Sequence, residues 1–138
     1  MKYKELYETT IWNIMELVGS YRTYIENDDL NNLYKTKQLL VGEKAKLNQI
    51  CSDANGFYLE KKSELSDKKD ELYLMYCETD TNGVAERKSR LDTKDLRDDC
   101  NRLKTQRNKS GKLLEDVNSI IIEIAIILKD KKNQETYG

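Results

Sequence analysis

Five basic side chains, Arg102, Lys104, Arg107, Lys109 and Lys112, fall within residues 101–112 with no acidic residue among them. Guanidinium and ammonium groups at this density attract phosphate, because each contact releases counterions condensed on a nucleic-acid strand. Residues 84–112 hold ten basic residues (Arg87, Lys88, Arg90, Lys94 and Arg97 besides those five) against Glu86, Asp92, Asp95, Asp98 and Asp99. That is a net charge of plus five on a chain whose total is minus one. Tyr73, Tyr76 and Phe57 offer rings on which bases stack. The same pattern has a plainer use, since long solvated helices are rich in lysine and arginine. Lys61, Lys62, Lys68 and Lys69, for example, simply interleave with Glu60, Glu64, Asp67, Asp70 and Glu71. Charge alone leaves both uses open.

Catalysis has no comparable foothold. The chain has no histidine, which removes the commonest general base and the commonest metal ligand together. The run Gln106-Arg107-Asn108-Lys109-Ser110-Gly111-Lys112-Leu113 lacks the leading glycine of a phosphate-binding loop and the hydroxyl residue after its lysine. Asp92, Asp95, Asp98 and Asp99 alternate with Lys94, Arg97 and Arg102 at spacings suited to solvated ion pairs. Cys51, Cys77 and Cys100 are an odd number at wide spacing, so neither a disulfide framework nor a zinc site is expected, and they read as small hydrophobes of a reduced protein. The expectation is a non-enzyme with no cofactor, no metal and no small-molecule substrate.

The elements that carry the strip are legible in the apolar spacing. In alternating steps of three and four, Leu30, Leu33, Lys37, Leu40, Lys44, Leu47, Cys51, Ala54, Tyr58, Lys61, Leu65, Lys68, Leu72 and Met75 mark the seam of a helix packed along its length. Leu96, Cys100, Leu103, Arg107, Ser110, Leu114, Val117, Ile121, Ile124 and Leu128 answer it. Proline, the strongest helix breaker, is absent. Asn55-Gly56 is a candidate helix end, but Ile50, Cys51, Ala54, Phe57 and Tyr58 keep one face across it, so a continuous helix of roughly 70 Å is expected. A turn is expected at Thr79-Asp80-Thr81-Asn82-Gly83, with Gly83 supplying positive φ. An earlier helix carries Tyr3, Leu6, Tyr7, Ile11, Ile14, Leu17, Val18, Tyr21 and Ile25 on one face, widened by Trp12 and Met15, and Asp28 or Asp29 caps the next helix.

The spacing therefore predicts an all-α fold with helices over about 3–25, 30–78 and 84–131. These form a long antiparallel hairpin whose coiled-coil-like arm leaves a three-helix head, one elongated domain over 1–131, with a flexible tail at 132–138. Val84 and Leu91 are out of phase with Leu96, so a register slip is expected near residues 92–95. Ile120, Ile121, Ile124, Ile127 and Leu128, with Ile122 and Ile126, make a run apolar nearly all round. Its surplus face predicts a homo-oligomer. The run is about half a bilayer span and contains Glu123, so no membrane partner is expected. No signal peptide is visible near the start, which predicts a cytoplasmic location.

The segment Tyr58-Leu59-Glu60-Lys61-Lys62 to Glu71-Leu72-Tyr73-Leu74-Met75-Tyr76, the turn at Asn82-Gly83, and the opening Val84-Ala85-Glu86-Arg87-Lys88 together resemble the UvsY-type recombination mediators, small helical accessory proteins of bacteriophage recombination. The similarity covers residues 30–128. It implies a ring-like homo-oligomer of phage or mobile-element origin, working in the host cytoplasm. Such a protein binds single-stranded DNA and helps load a recombinase onto strands coated by single-strand-binding protein. Arg87, Lys88, Arg90, Arg102, Lys104, Arg107 and Lys109 are the positions to which the resemblance transfers DNA contact, and the almost unbroken apolar run over 120–128 has no counterpart in the family pattern. The other reading of the same helices is a protein-interaction module, an inhibitor of a host factor or an assembly adaptor, without nucleic-acid binding.

Overall fold

The computed structural model describes residues 2–137, and it is all-α. Four helices follow in order: α1 (Lys2–Glu26), α2 (Leu30–Cys77), α3 (Asn82–Asp92) and α4 (Lys94–Tyr137). Contacts divide the chain into two compact units, Met1–Cys51 with Ser110–Gly138, and Ser52–Lys109.

In the first unit, α1 ends where Asp28 takes φ 55°, a left-handed conformation that a short polar side chain tolerates. Asp29 N–H donates to Tyr24 O at 2.9 Å and Asp28 N–H to Ile25 O at 3.1 Å, closing the last turn of α1. Asp29, of the two capping candidates, then starts α2. Its carboxylate accepts from Asn32 N–H at 3.3 Å and from Asn32 Nδ2 at 2.6 Å. Across the unit, Lys131 Nζ meets Asp28 Oδ1 at 3.0 Å.

Heptad strides set the core. Ile14 and Tyr21 of α1, Leu33, Leu40, Leu47 and Ile50 of α2, and Val117 and Ile124 of α4 form one buried cluster. Each such aliphatic side chain removed from water contributes about 2 kcal/mol. Tyr21 is buried with its hydroxyl donating to Glu123 Oε2 at 3.2 Å. That burial first, and the Glu123 carboxylate second, raise the Tyr21 hydroxyl above its ordinary pKa.

The second unit has a thinner core of small and polar groups, Ala54, Tyr58, Ala85, Ser89, Thr93 and Cys100. Leu65, Leu72, Leu96 and Leu103 of the seams are only half-buried there. Contacts run in opposite directions along the chain: Tyr58 meets Arg107, Ser89 Oγ donates to Lys69 O at 3.0 Å, and Tyr76 O–H donates to Asp92.

Three boundaries differ from the sequence expectation. Helix α2 passes Gly56 without interruption, but the third long helix is divided at Thr93. Its buried hydroxyl donates back to Ser89 O at 2.9 Å and Arg90 O at 3.3 Å, ending α3, and its own carbonyl accepts Arg97 N–H at 3.0 Å, starting α4. The slip expected over 92–95 is this break. Gly83 lies inside α3, and no glycine among the described residues has positive φ. The turn closes instead on Tyr76 O, which accepts from Thr79 N–H at 3.2 Å and Asp80 N–H at 2.8 Å. Residues 132–137, expected as a flexible tail, continue α4.

Candidate nucleic-acid interface

The basic positions do not form one surface. Side chains on a helix are rotated by about 100° per residue, so Arg102 and Lys109, seven apart, share a side of α4, while Lys104 and Arg107 point away from them. Arg102, Lys104 and Lys109 are exposed. Arg107 is instead committed to packing, its guanidinium 4.3 Å from the ring centre of the buried Tyr58, with Lys62 Nζ 6.0 Å from the same ring. Arg102 reaches Asp99 at 3.8 Å. Lys112 is exposed but belongs to the first unit.

On α3, Arg87 and Arg90 are exposed one turn apart. Lys88 is held by Asp80 Oδ2 at 2.9 Å and lies 5.4 Å from the Tyr76 ring centre. The helix break gathers a further group. Arg97 folds back so that its Nη2 donates to Arg90 O at 2.7 Å, satisfying a carbonyl at the end of α3 while its Nε is buried without a partner. Beside it, Lys69, Asp70, Tyr73, Glu86, Ser89, Arg90 and Arg97 line a cleft of about 480 Å³ in the second unit. Three cations face two carboxylates there, with an aromatic ring in the wall. A hydrogen bond with Cys77 is the first cause raising the Tyr73 hydroxyl pKa, and one to Asp92 is the first cause for Tyr76.

The candidate DNA contacts expected from the sequence are Arg87, Lys88, Arg90, Arg102, Lys104, Arg107, Lys109 and Lys112. The structure keeps Arg87, Arg90, Lys104 and Lys109 open to solvent and ties Lys88 and Arg107 to this chain's own tyrosines. Lys69 was missed because it is interleaved with acids along α2 and joins Arg90 only across the fold. Of the stacking candidates, Tyr73 lines the cleft, Tyr76 is half-buried, and Phe57 is 43% exposed.

The isoleucine run is also sorted. Ile124 is fully buried, and Ile120, Ile121, Ile127 and Leu128 are partly buried against the same core. Four of the five residues expected at an oligomer interface are thus largely occupied within the chain, and Ile124 entirely so. The surplus is Ile122 and Ile126, which are 58% and 55% exposed. Among the described residues no group of histidine, cysteine or acidic side chains is placed to hold a metal ion, and no helix is long and apolar enough to cross a membrane. Compared with known protein families, with curated proteins and with solved structures, the chain matches none.

Proposed function

We propose that this protein is a non-enzymatic homo-oligomer that binds single-stranded DNA through its second unit and acts as a mediator of recombination, assisting the loading of a recombinase. The observation that carries the DNA half of this reading is the cleft at the Thr93 break. Lys69, Arg90 and Arg97 stand there around Tyr73, with Arg87, Lys94 and Lys104 exposed on the same unit. Phosphates need distributed cations and an unpaired base needs a ring to lie on, and both are within one cleft. The mediator role follows the UvsY-type resemblance of residues 30–128.

Titration of a fluorescent oligothymidine at fixed salt tests it. Wild-type protein is expected to bind, and the triple variant K69A/R90A/K104A to bind at least tenfold more weakly with unchanged helix content. Equal binding by the two proteins would overturn the assignment of this surface.

A second reading has its own support. Leu74, Met75 and Leu91 of the second unit are 68%, 51% and 66% exposed, and apolar side chains in that number suit docking on another protein. An interaction module of this kind would not bind the oligonucleotide at any salt.

A further inference from the structure

Helix α1 carries a second, exposed stripe beside the side that enters the core, with Met15, Gly19 and Arg22 bordering a groove toward α4 and Trp12 bordering one toward α2. Lys4, Glu8, Trp12, Met15, Gly19, Arg22 and Glu26 follow at steps of three or four, and all are exposed. Trp12 is 63% and Met15 66% exposed, and they are neighbours on this stripe. A Cβ added at Gly19 would meet nothing within 4 Å, so the backbone there is bare. We propose that this face is a docking surface for a second copy of the chain, with α1 packed antiparallel against α1 of its partner about a twofold axis at Met15. The proposal deepens the homo-oligomer half of the function above and does not depend on DNA binding.

The charge order selects the occupant. Met15 is the midpoint both of Lys4 with Glu26 and of Glu8 with Arg22. Antiparallel pairing about Met15 therefore sets Lys4 against Glu26 of the other copy and Glu8 against Arg22, each pair occurring twice by symmetry. Parallel pairing would set every one of these charges against its own kind, which disfavours that arrangement. Trp12 then falls opposite residue 18 of the other copy, one step along the helix from Gly19, whose missing side chain leaves room beside the ring. The existing contacts do not compete strongly. Lys4 and Glu8 lie 4.0 Å apart with side chains 80% and 64% exposed, and Arg22 rests 5.4 Å from the ring centre of Tyr21. A solvated pair of that kind is easily exchanged.

Within one helix Glu8 and Arg22 are fourteen residues apart, about 21 Å along the axis, so they cannot pair inside the chain. That makes charge exchange between them diagnostic. Full-length wild type, R22E and E8K/R22E are compared by sedimentation equilibrium at matched concentrations, with circular dichroism to verify equal helix content. Wild type is expected to associate, R22E to dissociate at least tenfold more readily, and the double reversal to regain association. M15E, placed at the axis on an exposed position, is expected to dissociate without loss of helix. A monomeric wild type, an R22E protein that associates as wild type does, or a double variant that stays as weak as R22E would each overturn the proposal. Oligonucleotide titration of the same proteins reads the DNA half separately, because no substituted residue lies in the second unit.

Discussion

Alanine at Ile124 and at Ile122 separates the buried and exposed halves of one isoleucine run. Ile124 is fully buried in the cluster that α1, α2 and α4 share, whereas Ile122 is 58% exposed. Truncating a fully buried isoleucine loses the transfer free energy of three carbons and leaves a cavity, for a cost of about 3 kcal/mol. At Ile122 the lost burial is small and alanine's better helix propensity offsets part of it, so the change stays within about 0.5 kcal/mol. For a chain of 138 residues, unfolding entropy of about 2.1 cal/mol/K per residue converts 3 kcal/mol into a fall in Tm of roughly 10 °C. Urea unfolding followed by far-UV circular dichroism gives the free energies, and thermal melts give the second figure. Equal destabilisation by the two variants would refute the placement of α4 against the core.

Asp29→Ala removes the acceptor for Asn32 N–H at the start of α2 and is expected to cost about 1 kcal/mol in urea unfolding. Thr93→Val keeps the shape but deletes the hydroxyl bonds to Ser89 O and Arg90 O, and a loss of about 1–2 kcal/mol is expected by the same measurement. Tyr21 has a pKa raised in the fold above 10.0, so its stabilising effect is full below about pH 10 and is lost as pH climbs through the raised value. Tyr21→Phe should therefore lose stability less steeply than wild type in alkaline urea titrations.

The helices were legible because α-helical spacing needs only local order. Leu33, Leu40 and Leu47 at steps of seven announced the core of the first unit, and the phase change between Leu91 and Leu96 announced the break at Thr93. The break's chemistry was not legible, because it depends on a threonine hydroxyl and on Arg97 reaching back seven residues. The turn residues misled in one respect. Gly83 invited a left-handed conformation, but the chain reverses before it and Gly83 enters α3. The strip of cations was visible as a sum of charges and not as a surface. Helical rotation divided it, Tyr58 took Arg107, and the cleft recruited Lys69 from α2. The run over 120–128 is legible as apolar nearly all round, but which side is surplus is not: rotation sends Ile124 inward and leaves Ile122 and Ile126 outward.

The salt dependence of DNA binding bears most directly on the proposed function. Each phosphate neutralised on a single strand contributes about 0.7 to the slope of log affinity against log salt. Wild-type protein titrated with an oligothymidine over a series of salt concentrations is expected to give a negative slope of about 2 or more. A slope near zero, or no binding at low salt, would contradict the reading of the second unit as a surface for single-stranded DNA.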